Sequence, residues 1–148
     1  MKKTFSLSAA AAAAALAVVA VAAPAQAFGS GVDGCNLAGS TMAFQSSTLH
    51  QATVYACVGV DNSIQSTAKI TNTGAGATYS ITAELHRASD GALVAWHNCQ
   101  AVVPAGDTYY CTKAWPRSNT TVYTRTVVNR GSVTPAFTLQ SNNKVITA

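Results

Sequence analysis

Short runs rich in Val, Thr, Ile and Tyr recur between turn residues along most of this chain, and helical periodicity is almost absent after residue 27. Runs of this kind, bounded by Gly, Pro, Asn or Asp, are typical of β-strands. They predict strands near residues 41–47, 52–60, 64–73, 77–87, 92–103, 108–115, 120–128 and 133–140. This pattern favours an all-β fold, an antiparallel β-sandwich of immunoglobulin-like character with about eight strands.

The last two predicted strands suggest their own register. A four-residue hairpin loop at 129–132 would place Val128 opposite Val133 and Thr124 opposite Phe137. One face then becomes apolar on both strands, as a strand that is buried on one side requires. We therefore expect this hairpin to pair in that register.

The N-terminal stretch predicts an export signal over residues 1–27. Lys2 and Lys3 form a positive start, an Ala-, Val- and Leu-rich run follows over 9–23, and small residues precede the expected cleavage point. This order is typical of a secretory signal peptide, and the run is short for a membrane span. We expect one secreted domain over 28–148, extracellular or periplasmic and not membrane-spanning.

All four cysteines lie in the predicted exported part, and their number is even. In an oxidising compartment this pattern predicts two disulfides, and the wide spacing is unlike the close pairs of structural zinc sites. A hairpin loop at 104–106 would place Cys99 opposite Cys111. Elimination then pairs Cys35 with Cys57.

Charge and composition disfavour two classes of function. The chain has 9 Lys and Arg residues against 5 Asp and Glu residues, and the seven bases outside the predicted signal are scattered singly, unlike a surface that binds nucleic acid. Carboxylates and imidazoles are few, and hydrolase or phosphate-loop motifs are absent from the sequence. We expect a non-enzymatic protein with no cofactor and no nucleic-acid partner.

One metal hypothesis rests on three side chains. Glu84 and His86 share a strand face because they lie two residues apart, and a two-residue loop at 90–91 would place His97 opposite Glu84. Two imidazoles and a carboxylate can hold a divalent metal. A longer loop would dissolve the cluster, so we favour an ordinary polar strand face without metal.

An aromatic and basic group predicts a binding surface. Its members follow one another along the sixth predicted strand and the loop after it: Tyr109, Tyr110, Lys113, Trp115 and Arg117. A Trp beside cations can stack on sugar rings, so cell-wall polysaccharide or a secreted protein is the expected partner. In the alternative, Trp115 caps the core. Trp96 lies mid-strand among apolar residues, which predicts a core position.

The loop over 103–107 supports a different hypothesis. It follows Cys99 closely, and a rigid loop loses little entropy when it docks into a protease cleft. Inhibition of a secreted protease is therefore the alternative to a binding or surface-associated protein, although a plain hairpin turn would explain the same residues.

Overall fold

The computed structural model describes residues 34–49, 51–132 and 136–147. These residues form a short 3-10 turn, Gly39–Thr41, and nine strands: β1 (Met42–Leu49), β2 (Ala52–Val60), β3 (Ile64–Asn72), β4 (Ala77–Arg87), β5 (Leu93–Val103), β6 (Thr108–Trp115), β7 (Thr120–Arg130), β8 (Phe137–Gln140) and β9 (Lys144–Ile146). The first seven follow the predicted strands closely. The predicted export signal lies outside the described residues.

The strands form two antiparallel sheets that pack face to face. Sheet 1 has the order β1-β2-β3-β6, and sheet 2 has the order β5-β4-β7-β8 with β9 beside β7. The pairs β3–β6, β4–β7 and β7–β8 correspond to the B–E, C–F and F–G pairs of immunoglobulin sandwiches. The prediction of an antiparallel β-sandwich is confirmed.

The interior contains two apolar clusters with polar side chains between them. The larger is built on residues such as Val54, Ile70 and Ile81, and the smaller on residues such as Ile64 and Leu85. Between them lie side chains that are fully buried although polar: Ser66, Thr124 and Thr126. The Thr124 hydroxyl donates to Ser66 Oγ across the two sheets at 3.1 Å. This bond pairs the hydroxyl groups of Ser66 and Thr124, which would be costly to bury unpaired.

Both predicted disulfides are present, but one crosses the fold differently from the expected hairpin. Cys35–Cys57 fixes the N-terminal segment on the outer face of sheet 1, and the Gly34 amide there donates to Thr67 Oγ1 at 2.9 Å. Cys99–Cys111 joins β5 of sheet 2 to β6 of sheet 1, with Cα atoms 5.8 Å apart. The two cysteines are therefore not a cross-strand pair, because each strand pairs with a neighbour in its own sheet.

The two long edges of the sandwich are closed by different means. The disulfide closes the edge between β5 and β6. At the opposite edge, the side chain of Gln45 on β1 donates to Asn142 Oδ1 at 2.7 Å, and Asn142 Nδ2 donates to the Phe44 carbonyl at 3.3 Å. One edge is covalent, and the other depends on hydrogen bonds.

The predicted register of the last hairpin is wrong by four residues. Val128 pairs with Phe137, and Thr126 pairs with Leu139. A shift by an even number returns every side chain to the same face, so the apolar pattern is equally satisfied in both registers. Val133, the predicted partner of Val128, lies outside the described residues.

Within the described ranges, no helix is both long enough and apolar enough to cross a membrane.

Candidate functional site

The outer face of sheet 2 carries the most exposed aromatic side chain of the described residues. Trp96 is 55% exposed on β5, and Leu93, Val94 and Val102 on the same strand are also exposed. The prediction that Trp96 lies in the core is wrong. β5 is an edge strand on which alternate residues face outward, and the even-numbered positions are those that do so.

A carboxylate lies beside this indole. Glu84 on β4 is the direct cross-strand partner of Trp96, and it is also the partner of Arg125 on β7. Arg125 Nε lies 3.4 Å from Glu84 Oε2. Trp96, Glu84 and Arg125 therefore form one row across three strands, called here the Trp96 row.

His86 holds the Glu84 carboxylate in place. Its Nε2 lies 2.9 Å from Glu84 Oε2, and its Nδ1 lies 3.0 Å from the Gly91 carbonyl oxygen. The imidazole is only 7% exposed and stacks on Tyr123, with ring centroids 5.2 Å apart. The two ring nitrogens therefore each lie within hydrogen-bond distance of an oxygen atom, one from a carboxylate and one from a backbone carbonyl.

The predicted metal cluster does not form in the described structure. Glu84 and His86 share the outer face as expected, but His97 pairs with Ala83 and faces the space between the sheets. The loop is longer than predicted, since the Arg87 amide donates to the Ala92 carbonyl, and the register between β4 and β5 then shifts at Leu85/His86. Together these changes place Trp96 opposite Glu84, where His97 was predicted. An irregularity of this kind moves the following side chains to other partners.

His97 lies beside the disulfide that closes the β5–β6 edge. Burial lowers the pKa of His97; the Cys111 backbone opposes this shift, and the Lys113 ammonium adds to it. The ring and the sulfurs of Cys99 and Cys111 lie within 4.8 Å of one another. The two sulfurs form a disulfide bond, so neither is available as a thiolate ligand for a metal ion.

The predicted aromatic and basic group is divided between separate parts of the molecule. Tyr109 belongs to the larger apolar cluster and is 7% exposed, and Trp115 packs against the smaller one. The Lys113 ammonium lies 5.7 Å from the centre of the Trp115 ring. Arg117 donates to the Thr147 carbonyl, and Tyr110 lies on the outer face of sheet 1. Trp115 thus takes the core-capping position of the alternative interpretation.

The loop over 103–107 is fixed by a buried amide that the sequence did not reveal. The Asn72 side chain is fully buried and donates to the carbonyls of Val103 and Pro104 at 2.9 and 3.2 Å. The backbone of Asn72 contributes two more bonds: its carbonyl accepts from the Gly106 N–H, and its N–H donates to the Asp107 carbonyl. The loop over 103–107 is therefore a tight turn that Asn72 holds by hydrogen bonds from the interior of the fold.

No family model and no curated protein matches this sequence. Among solved structures, β-glucuronidase 2 of Bacteroides uniformis, covalently bound to cyclophellitol-6-carboxylate aziridine, has a TM-score of 0.45 and 13% identity; the match covers 72% of this chain and 13% of that chain. A β-galactosidase of Bacteroides fragilis, described as putative, has a TM-score of 0.40 and 9% identity, with 69% and 16% covered. This chain spans less than a fifth of either protein's length, and similarity at this level carries no argument about its function.

Proposed function

We propose that this protein is a secreted, non-enzymatic binding protein that holds a polysaccharide, such as a cell-wall glycan, against the Trp96 row. The observation that carries the proposal is the 55% exposure of Trp96 on the outer face of sheet 2, directly beside Glu84. An indole in this position offers an apolar platform for the C–H face of a sugar ring.

The polar half of the row suits sugar hydroxyl groups. The Glu84 carboxylate accepts hydrogen bonds, and the Arg125 guanidinium donates them. His86 and Arg125 orient the carboxylate before any ligand arrives. A contact surface whose groups are already ordered loses little entropy on binding.

Charge supports a neutral polysaccharide at this face. Glu84 and Arg125 lie close enough to compensate each other, so neither presents an isolated charge beside the indole. The two disulfides are typical of proteins that mature in an oxidising compartment, and the predicted signal over 1–27 supports secretion.

A pull-down on insoluble neutral glycans and purified cell walls tests the proposal. Trp96→Ala removes the stacking platform, and we expect the retained fraction to fall about tenfold, because stacking on an aromatic ring contributes on the order of 1 kcal/mol or more. Val102→Ala is the matched control, since Val102 is 67% exposed on the same strand. Equal retention of wild type and Trp96→Ala would contradict the proposal.

Inhibition of a secreted protease is a second candidate, favoured by the internal bracing of the loop over 103–107. Asn72 fixes both ends of this loop, which leaves Ala105 exposed at its tip. A panel of serine, cysteine and metalloproteases tests the idea. Inhibition that is lost on loop cleavage would support it, and no inhibition of any panel member would contradict it.

A further inference from the structure

The outer face of sheet 1 carries a second ordered row of side chains. Tyr55 on β2 pairs with Lys69 on β3, and Lys69 pairs with Tyr110 on β6. The Lys69 ammonium lies 4.9 Å from the centre of the Tyr55 ring and 5.6 Å from that of Tyr110. Two aromatic rings therefore hold one ammonium between them, and we call these three residues the Lys69 row.

The charge of Lys69 is not compensated by a carboxylate of the described residues. The three ion pairs found among them join Glu84 to His86 and Arg125, and Arg87 to Asp90, and none of these residues lies in sheet 1. Nor does the Lys69 ammonium donate a hydrogen bond to any other described residue; it instead makes cation–π contacts with the two rings. This distinguishes the Lys69 row from the Trp96 row, where the opposite charges are adjacent.

The cross-strand pairs on either side of the row are joined by side-chain hydrogen bonds. On the same face, Thr71 and Thr108 share a hydrogen bond of 3.0 Å in the next cross-strand pair. On the other side, Thr67 and Thr112 do the same at 3.0 Å, and the Gly34 amide caps Thr67. The segment around Gly34 is fixed by the Cys35 disulfide. The ammonium is therefore presented from a rigid sheet and not from a mobile loop.

We propose that the Lys69 row is a second binding site, and that its ligand is a carboxylate-bearing sugar within an acidic polysaccharide. The ammonium would donate to the carboxylate in a charge-assisted hydrogen bond. The tyrosine rings would pack against the sugar rings on either side. Tyr55 and Tyr110 lie two strands apart, about 10 Å, so both can contact one polymer that crosses the sheet.

Stacking and charge together favour an acidic sugar over other anions. A polyphosphate would use the ammonium and leave the two rings without a stacking partner, and a neutral glycan would use the rings and leave the cation unpaired. A uronic acid polymer satisfies all three side chains at once. The class of ligand thus follows from the ammonium and the two aromatic rings together, since neither the charge nor the rings alone would select it.

Affinity for polygalacturonate tests the site directly. We expect wild type to bind polygalacturonate at low salt, and to lose about tenfold or more in affinity when the carboxylates are fully methyl-esterified, because esterification removes the negative charge and leaves the sugar rings in place. Lys69→Gln should cause a similar loss, and Tyr110→Ala a smaller one. Lys144→Gln on β9 is the matched control for overall charge and should bind like wild type.

Three outcomes would overturn the proposal. They are equal binding by wild type and Lys69→Gln, equal binding of the esterified polymer, and displacement of polygalacturonate by polyphosphate at equal charge concentration. The test is separable from that of the Trp96 row: Trp96→Ala should keep full affinity for polygalacturonate, and Lys69→Gln should keep retention on neutral glycan. Circular dichroism of each variant verifies that it is folded.

Discussion

Glu84 on β4 lies directly opposite Trp96 on β5, so a carboxylate and an exposed indole share one cross-strand position. The surroundings of the two side chains differ. Glu84 contacts His86 and Arg125, whereas Trp96 lies at the sheet edge. The orientation of the polar half can therefore be changed without removal of the aromatic platform.

Glu84→Ala should lower both stability and glycan retention. The substitution leaves the buried His86 ring without its charged partner, and hydrogen bonds to charged groups contribute about 1.5–3 kcal/mol. We expect the free energy of unfolding to fall by about 1–2 kcal/mol in urea titrations. Asp90→Ala is the control, because Asp90 forms an exposed pair with Arg87 and accepts one exposed hydrogen bond from the Ala92 amide, which together should contribute less than about 1 kcal/mol. A larger loss for Asp90→Ala than for Glu84→Ala would contradict this account.

Removal of Cys99–Cys111 should loosen one edge of the sandwich. The bridge closes a short loop, with a sequence separation of 12, and loops of this size contribute about 3 kcal/mol in the chain-entropy model. We expect the double variant Cys99→Ala/Cys111→Ala to lose about 2–4 kcal/mol of stability. Amide hydrogen exchange should rise first in β5 and β6. Faster exchange confined to β1 would show that the bridge does not hold this edge.

Asn72→Ala should be among the most destabilising single substitutions. Its amide donates to three backbone carbonyls, and its Oδ1 accepts from the Gly74 amide and the Tyr79 hydroxyl. Each buried group left unpaired costs about 1–3 kcal/mol, so we expect a total loss of about 3–5 kcal/mol. Asn98→Ala is the control, since Asn98 is exposed and accepts a bond from Thr82. A loss below about 1 kcal/mol for Asn72→Ala would contradict the structural role.

The stability of the fold should depend on the protonation of His97. Burial lowers the pKa of this residue below the ordinary value of 6.5, so the unfolded chain binds a proton at a higher pH than the folded protein does. The contribution of His97 is therefore constant above about pH 7.5 and is lost as the pH falls through 6.5 towards the folded pKa.

The difference between wild type and His97→Gln isolates this effect. Urea titrations between about pH 5 and 7.5 should show wild type losing more stability than His97→Gln as the pH falls. Other titrating groups are common to both proteins and cancel. Parallel stability curves, or a steeper fall for His97→Gln, would contradict the buried neutral state of His97.

Alternation along each run predicted the strands well, because local periodicity is encoded within a few residues. β2, β4 and β6 have the bounds that the sequence predicted. The partners of each strand were harder to predict, since they depend on loop length and sheet order. The pairing of Cys99 with Cys111 was predicted through a hairpin, yet the two strands belong to different sheets.

The two tryptophans show why the site was only partly predictable. Trp96 and Trp115 each lie in a strand with apolar neighbours, but Trp96 faces outward and Trp115 inward. The direction of each side chain depends on which face of its strand packs against the other sheet, and the local sequence pattern does not determine this face. The position of His97 depends on the register shift at Leu85/His86, which the sequence does not reveal. Asn72 resembles any strand-end asparagine until the loops around it are placed.

The unequal closure of the two edges gives the molecule a preferred direction of mechanical opening. A force that pulls the sheets apart meets a covalent bond at Cys99–Cys111, whereas the polar links described at the other edge are the hydrogen bonds between Gln45, Phe44 and Asn142. The sandwich should therefore yield first between β1 and β8, with its far side still joined. Polymers that pulled on the two outer faces at once would strain a hinge along the β5–β6 edge, where the disulfide joins the two sheets.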